Sequence, residues 1–188
     1  MAEGFRLRLL AALALICLCF GLPLHGERKS KAIPLKVDGV PNLHRIDDNL
    51  YRSGQPTREG FANLEAMGVK TVVSLSLNQD DIDLASGTLL RLYLVPLNPV
   101  FIDKDQVARA LSILGNRSQG PYLVHCRHGS DRTGLICASY RIAYHGWSVE
   151  DAIDELVNGS FGHHEFLKNI PSWLRREGVG LKVRKESD

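Results

Sequence analysis

A cysteine and an arginine flank five residues in the segment HCRHGSDRTG, which covers residues 125–134. A stretch of this length can curl into a loop whose backbone N–H groups converge on one point, with Gly129 permitting a positive φ. The thiolate form of a cysteine is a nucleophile, and the planar guanidinium of an arginine matches two oxygens of an anion such as phosphate. Cys126 and Arg132 are therefore predicted to form a site where sulfur attacks a bound phosphoryl group.

The other residues of this segment are expected to complete the same site. The predicted contacts to phosphate oxygens come from the loop itself, at Arg127, His128, Gly129, Ser130, Asp131 and Arg132. Thr133 can donate its hydroxyl to the cysteine sulfur and help it leave at a second step. His125 is expected to order the loop through hydrogen bonds of its ring. At least one of Arg127 and His128 should point outward at the rim, where it would favour acidic peptides or ligands with several negative charges.

The segment lies where an apolar strand pattern gives way to a helical pattern. GPYLVHC is a strand pattern that ends at Cys126, and a helix is predicted at about residues 132–145. In open α/β sheets, ligands bind at the carboxyl ends of the strands, and the free N–H groups of a helix N-terminus attract an anion. The same positive potential favours a thiolate at Cys126.

Strand and helix patterns alternate along most of the chain. The predicted strands are LHRI, NLYRSG, VKTVVSLSL, LLRLYLVPL and GPYLVHC. The other predicted helices are TREGFANLEAMG capped by Thr57, DKDQVARALSILG with Asp103 and Gln106 as a capping box, SVEDAIDELVN capped by Ser148, and about residues 163–176. This alternation predicts an α/β fold with a partly parallel central sheet of about four to five strands flanked by helices.

The composition is that of an ordinary globular protein. The chain has 188 residues, of which 44% are hydrophobic and 23% are charged, and its formal net charge is +2. This length suits one domain, or one domain with an appendage. A charge so close to neutral gives no reason to expect nucleic acid as a partner.

The N-terminal 26 residues differ from the rest of the chain. Arg6 and Arg8 precede an apolar run that extends from Leu9 to Phe20 and ends in a Gly/Pro-containing exit, which is the layout of a secretory signal peptide. We therefore predict export, to the periplasm. The alternative is an uncleaved segment that tethers the protein to a membrane, because no clear cleavage site follows the run. The predicted organisation is a signal peptide (1–26), a linker (27–42), a folded domain (43–178) and a polar tail (179–188).

Neither a disulfide framework nor a metal site is predicted. Signal cleavage would remove Cys17 and Cys19 and leave Cys126 and Cys137, which are too few for a disulfide framework. Cys137 lies in LICASY, an apolar helical pattern, and is predicted to be a buried core thiol. The paired histidines of GHHE, at residues 162–165, would diverge on the predicted helix and so would not ligate one metal ion.

These features together resemble a known enzyme family. H-C-x5-R-T is the signature of the cysteine-dependent tyrosine phosphatases. The stretch from NLYRSGQPT through VKTVVSL, HCRHGSDRTG, YRIAYHGWS and AIDEL is similar to the compact, exported, dual-specificity branch of that family in bacteria. The resemblance implies a tyrosine-phosphatase-like catalytic domain at residues 43–178. It also implies a phosphocysteine mechanism: Cys126 attacks phosphorus, a carboxylic acid protonates the leaving oxygen, and water then hydrolyses the thiophosphate. Neither a cofactor nor a metal takes part in that mechanism.

The general acid is the part of the family pattern that this chain does not match. The family places an aspartate in a loop upstream of the cysteine, where this chain reads LNPVFIDKD, with no aspartate in the early positions. Asp103 is the nearest carboxylate, although it would equally serve as a helix cap. Asp131 precedes Arg132 as in the DRT loops of some lipid phosphatases, where it is a proposed proton donor, and its alternative role is to brace the loop. The next candidates are Asp81 and Asp83.

Three functions fit these observations. The first is a protein phosphatase acting on phosphotyrosine and also on phosphoserine or phosphothreonine. The second is a phosphatase for phosphoinositides or other small phosphoesters. The third is a catalytically weak module that binds phosphorylated ligands without turnover. The presence of both Cys126 and Arg132 argues against the third.

Overall fold

The computed structural model describes residues 31–78 and 80–181. The predicted signal segment and the end of the predicted tail, from residue 182 onward, lie outside the described residues. Within the described ranges, no helix combines the length and the apolar character needed to cross a membrane.

In the described part of the chain, six strands form one mixed sheet. They are β1 (Ile33–Pro34), β2 (His44–Arg45), β3 (Leu50–Ser53), β4 (Thr71–Ser74), β5 (Arg91–Leu94) and β6 (Tyr122–His125). Their order across the sheet is β1-β2-β3-β6-β4-β5. Strands β3, β6, β4 and β5 run parallel, whereas β1, β2 and β3 pair antiparallel. The predicted α/β class and partly parallel sheet are confirmed, although the sheet has one strand more than the upper end of the prediction.

Helices cover both faces of this sheet. They are α1 (Arg58–Ala66), α2 (Asp80–Leu84), α3 (Lys104–Gly115), α4 (Asp131–His145), α5 (Val149–Asn158) and α6 (Asn169–Glu177), with short 3-10 turns at Arg117–Gln119 and Gly178–Leu181. Two of these helices differ from the prediction. Helix α2 forms between the predicted strands VKTVVSLSL and LLRLYLVPL, where the sequence predicts no helix, and α6 begins at Asn169, because residues 163–168 are not helical.

The predicted helix caps are confirmed. The side chain of Thr57 accepts a hydrogen bond from the N–H of Gly60 at the start of α1, and Ser148 does the same for Asp151 at the start of α5. The carboxylate of Asp103 accepts from the N–H of Asp105 at the start of α3. The predicted capping box between Asp103 and Gln106 is not formed, because Asp103 binds the N–H of Asp105 and the buried Oε1 of Gln106 has no hydrogen-bond partner within the described ranges.

Strand β6 is the centre of the sheet, and its position decides where the site lies. Val124 packs in the larger core, under α3 and α4, whereas Leu123 packs in the second core, under α1. A strand that is covered on both faces needs apolar residues at every position, which is why the run YLV does not alternate with polar residues. The last residues of β3, β6 and β4 stand in register, Ser53 opposite His125 and His125 opposite Ser74. The carboxyl ends of these three strands therefore lie side by side at one edge of the sheet.

The folded domain begins before the predicted boundary at Leu43. Strand β1, inside the predicted linker, pairs with β2, and the backbone N–H of Ala32 donates to the Glu155 carboxylate at 3.0 Å. Val40 is buried in the second core. The linker prediction relied on the absence of a regular hydrophobic period, and a two-residue edge strand is too short to show one.

A buried ion pair joins α4 to α5. The guanidinium of Arg141 donates through Nε and Nη2 to both oxygens of Glu155, each at 2.9 Å, and it stacks on the ring of Trp147 at 4.4 Å. Two parallel hydrogen bonds of this kind fix orientation as well as distance. The pair therefore holds α5 against α4, the helix that begins in HCRHGSDRTG.

Candidate active site

The segment between Cys126 and Arg132 leaves the end of β6 and turns into the first residues of α4. Gly129 has a φ of +75°, in the left-handed region that favours glycine. The turn is held against the connection from β3 to α1: the N–H of Gln55 donates to the Arg127 carbonyl at 3.1 Å. The predicted loop between strand and helix is therefore present, and it is clamped on its outer side by backbone contacts.

We expect Gly129→Ala to disrupt this loop more than a conformational penalty alone would. A Cβ at Gly129 would lie 2.5 Å from the backbone N of Gly54 and 2.5 Å from the carbonyl carbon of Ser53. Gly146 is a matched control, because its φ is +66° but a Cβ there would meet no atom of the described residues within 4 Å. Gly146→Ala should cost about 1–2 kcal/mol for the left-handed conformation. Gly129→Ala should cost about 1–3 kcal/mol more, from overpacking. Urea unfolding of both variants measures the difference. Equal losses of unfolding free energy would contradict the close packing of the loop against Ser53 and Gly54.

A buried arginine that the sequence analysis missed lies under the loop. Arg52, in β3, is 1% exposed. Its Nη2 donates to the carbonyl of Gly129 at 2.7 Å and lies 3.4 Å from that of Ser130, and its guanidinium stacks on the ring of Phe161 at 3.6 Å. Burial lowers the pKa of the Arg52 guanidinium. Arg52 thus holds the carbonyls of Gly129 and Ser130 from the side of β3. One signal in the sequence could have identified this arginine. Arg52 lies two residues after Leu50 and so shares its face of β3, where an apolar residue is expected.

The predicted nucleophile lies at the floor of the loop. Cys126 is 2% exposed and directly follows β6. Thr133, in the first turn of α4, is fully buried, and its hydroxyl has no hydrogen-bond partner among residues 31–78 and 80–181. That hydroxyl is therefore uncommitted, as the predicted role toward the sulfur requires, and the role itself stays a prediction.

His125 is completely buried beside an acidic partner. Its Nε2 lies 3.5 Å from Oδ2 of Asp81, and its ring meets the ring of Phe61 edge-on at 6.2 Å. Burial lowers the pKa of His125, against the opposing effect of the Asp81 carboxylate. The neutral imidazole is thus the favoured form at neutral pH. The Asp81 side chain also accepts a hydrogen bond from the Gln55 amide, so this carboxylate is enclosed beneath the loop.

The predicted phosphate ligands differ in exposure and in what their side chains contact. Arg127 and His128 are exposed, as predicted for the rim. Ser130 is buried, and its hydroxyl donates to the carbonyl of Phe161 at 2.9 Å, so its side chain serves as an anchor. The Nη1 of Arg132 donates to the carbonyl of Leu75 at 3.3 Å, which ties the guanidinium to the end of β4.

The carboxylates predicted as general acids each have another partner. Asp103 is exposed and caps α3 through the N–H of Asp105 at 2.9 Å. Asp83 forms a surface ion pair with Arg58 at 2.9 Å. In the loop where the family places its aspartate, the side chain of Asn98 accepts from the N–H groups of residues 100 and 101 at 2.9 and 3.1 Å. The loop is therefore braced by an amide where a carboxylic acid was needed.

Asp131 is held by the histidines of GHHE. Its Oδ2 accepts from Nδ1 of His164 at 2.6 Å, and its Oδ1 accepts from the backbone N–H of the same residue at 3.0 Å. The Nδ1 of His163 lies 2.9 Å from Oδ1. The prediction that these imidazoles diverge on a helix is wrong. The segment after Gly162, which has a φ of +80°, is not helical, and both rings lie against one carboxylate.

No group of three or more His, Cys, Asp or Glu side chains is arranged to hold a metal ion within the described ranges. The cationic and hydrogen-bonding groups around the loop come from the chain itself: the guanidinium of Arg132 and the backbone N–H groups between Cys126 and the start of α4. The arrangement can bind a tetrahedral dianion above a sulfur nucleophile.

Comparison with known proteins supports this chemistry. The family model described as the tyrosine phosphatase family matches residues 40–170. The dual specificity protein phosphatase TpbA of Pseudomonas aeruginosa is 36% identical over 186 residues, which cover 94% of this chain and 84% of the relative. The inositol diphosphatase DSP5 of Arabidopsis thaliana is 26% identical over 123 residues, which cover 61% of this chain and 60% of the relative.

Solved structures lead to the same group of proteins. The crystal structure of P. aeruginosa TpbA matches with a TM-score of 0.74 and 31% identity, covering 82% of this chain and 96% of the other. A cysteine-to-serine variant of TpbA in complex with phosphotyrosine matches with a TM-score of 0.72 and 31% identity, covering 83% and 96%.

Proposed function

The chain belongs to the tyrosine phosphatase family, and on that premise we propose that its substrates are proteins that carry phosphotyrosine, with phosphoserine and phosphothreonine as further substrates. The observation that carries the proposal is the loop from Cys126 to Arg132 at the carboxyl end of the central strand. TpbA, the relative with 36% identity, is named a dual specificity phosphatase, and its variant binds phosphotyrosine.

In the first step, a phosphate dianion enters the loop with its three terminal oxygens facing the backbone N–H groups and Arg132. The Sγ of Cys126 attacks phosphorus in line with the ester oxygen, so that an S–P bond forms while the P–O bond to the leaving group breaks. The guanidinium and the amides stabilise the charge on the equatorial oxygens. They do so without reorganising, because the contacts between the loop and the connection from β3 to α1 already fix their positions. The leaving oxygen takes up a proton.

In the second step, water attacks phosphorus of the thiophosphate. The S–P bond breaks, inorganic phosphate leaves, and the sulfur departs as a thiolate. Thr133 contributes here by donating its uncommitted hydroxyl to the departing sulfur, which lowers the charge that the sulfur must carry. The positive potential at the start of α4 and the buried guanidinium of Arg52 also favour that thiolate.

A second substrate class is supported by the rim and by one relative. Arg127 and His128 are exposed at the loop, where they can contact further negative charges on a small ligand. DSP5, at 26% identity, is named an inositol diphosphatase. Phosphoinositides or other small phosphoesters are therefore the alternative substrates of the same chemistry.

A substrate panel tests the proposal. The mature protein is assayed with phosphotyrosine peptides, phosphothreonine peptides and soluble phosphoinositides, in EDTA throughout and with vanadate as inhibitor. We expect the highest kcat/KM on phosphotyrosine peptides, activity that survives EDTA, and inhibition by vanadate. Turnover of phosphoinositides alone would favour the alternative class. Binding of phosphopeptides without turnover would reduce the protein to a phospho-ligand-binding module.

We further propose that the protein works outside the cytoplasm, in the periplasm. The support is the charged start and the apolar run that ends at Phe20, followed by a polar segment. Cell fractionation tests the proposal: the processed protein should be recovered with periplasmic markers. Full-length protein in the soluble cytoplasmic fraction would contradict export, and full-length protein in the membrane fraction would favour the tethered alternative.

A further inference from the structure

The first step of the proposed reaction needs a proton for the leaving oxygen, and the carboxylates expected to supply it are committed elsewhere. Asp103 caps a helix, and the expected loop carries Asn98 and Pro99. Asp81 is fully buried beneath the loop, where a leaving group cannot reach it. Asp131 is 8% exposed, and both of its oxygens face histidines. A donor at the mouth of the loop must therefore come from another residue type.

His164 is the protonatable side chain that Asp131 presents at this mouth. A carboxylate only accepts hydrogen bonds, so the 2.6 Å contact to Oδ2 makes Nδ1 of His164 the donor. The side chain is 41% exposed, and its Nε2 makes no hydrogen bond to any residue in the described ranges. The backbone N–H of His164 is bound to the same carboxylate at 3.0 Å, so both the main chain and the ring are fixed.

The ring of His164 packs against the loop between Cys126 and Arg132. Its centroid is 5.7 Å from that of His128, which lies two residues after Cys126. Its other anchor, Asp131, directly precedes Arg132. The ring therefore contacts the loop on two sides, through His128 at the rim and through Asp131. The titratable groups around it are Asp131 and His128 from the loop and its chain neighbours His163 and Glu165.

Building on the proposed function, we propose that His164 is the general acid and base of the reaction, oriented by Asp131. While the S–P bond forms and the P–O bond breaks, Nε2–H of the His164 imidazolium gives its proton to the leaving oxygen. The neutral Nε2 then takes a proton from the water that attacks the thiophosphate, which restores the imidazolium as the S–P bond breaks. Imidazole suits both steps because its protonation changes between pH 5 and 8. Asp131 is thus a positioning residue and not the proton donor.

His163 does not share this role. Its side chain is 4% exposed, so its ring is enclosed beside Asp131 and does not reach a ligand above the loop. It closes the other side of the carboxylate, which leaves His164 as the histidine of the pair that faces solvent. Of the two imidazoles on this carboxylate, that of His164 is the exposed one, so it is the one that can exchange protons with a ligand.

The test compares an activated and an unactivated ester, p-nitrophenyl phosphate and phenyl phosphate. A leaving group of low pKa needs little protonation, whereas phenol needs much more, so loss of the acid acts selectively on phenyl phosphate. We expect His164→Gln to lower kcat/KM on phenyl phosphate by about 10²- to 10⁴-fold and to leave kcat/KM on p-nitrophenyl phosphate nearly unchanged, because this constant covers only the steps up to departure of the leaving group. The basic limb of the pH–rate profile on phenyl phosphate should flatten. Glu165→Gln, in the same segment, is the matched control and should behave as the natural protein.

Several results would overturn the proposal. An unchanged ratio between the two esters in folded His164→Gln removes His164 as the acid. A selective loss in Asp103→Asn would assign the proton to that carboxylate. An equal loss of kcat/KM on both esters in His164→Gln, with its thermal unfolding unchanged, would indicate a role in binding.

A measurement on the natural protein covers the case in which His164→Gln does not fold. Its kcat/KM should depend only weakly on the pKa of the leaving group across a series of aryl phosphates. A steep dependence would show that no acid operates. Failure of the proposed function is distinguishable, because it would appear as no turnover of p-nitrophenyl phosphate by the natural protein.

Discussion

Cys126→Ser should hydrolyse no phosphate ester, whatever its leaving group. A serine hydroxyl in the same place stays protonated at neutral pH and attacks phosphorus poorly. A phosphoserine formed there would also lack the weak bond to sulfur that the second step breaks. The loop N–H groups and Arg132 remain, so the variant should still bind a phosphotyrosine peptide. Turnover assays and calorimetric titration with that peptide check both parts.

Cys137→Ala is the matched control for this prediction. Cys137 is 1% exposed in the middle of α4, and burial raises the pKa of its thiol to about 11. It is therefore an inert core thiol, as predicted, and its loss should reduce stability without removing activity. Turnover by Cys126→Ser, or loss of turnover in folded Cys137→Ala, would contradict the assignment of the nucleophile.

The strand, loop and helix around the nucleophile could be predicted because their signals are local. The run YLV has no polar partner positions, so it had to be covered on both faces, and Gly129 marks the turn that follows. Thr57, Asp103 and Ser148 are found at the predicted helix starts because a cap depends on residues only three positions away. These features need no knowledge of which elements become neighbours.

The rest of the site depends on contacts between distant parts of the chain. Arg52 is 77 residues from Gly129 in the sequence. Their hydrogen bond could not be predicted without knowing that β3 pairs with β6. The histidines of GHHE met Asp131 because the chain after α5 returns over the loop and is not helical there. The sequence predicts a helix at about residues 163–176, but the chain turns at Gly162 and is helical only from Asn169. The family could thus be predicted from local signals, whereas the contacts around Asp131 could not.

Arg132 is the residue on which binding of the transition state should depend most. Its guanidinium can pair with two phosphate oxygens, and its Nη1 is held by the carbonyl of Leu75 at 3.3 Å, so it is set in place before the substrate arrives. We expect Arg132→Ala to lower kcat by about 10²- to 10³-fold, the usual effect of removing one preorganised donor to a developing oxyanion, and to raise KM as well. Steady-state kinetics on p-nitrophenyl phosphate measures both changes.

Arg132→Lys separates charge from geometry. A lysine keeps the positive charge but offers a single point of contact, and it cannot bridge two oxygens while bonded to Leu75. If the transition state needs the two-point contact of the guanidinium, the KM of Arg132→Lys should lie closer to the natural value than its kcat does. Arg109→Ala, which removes an exposed arginine from α3, controls for the change in net charge and should leave both constants unaltered. A kcat for Arg132→Ala within tenfold of the natural value would mean that the backbone N–H groups, set by Arg52 and Gly129, neutralise the transition state without a guanidinium.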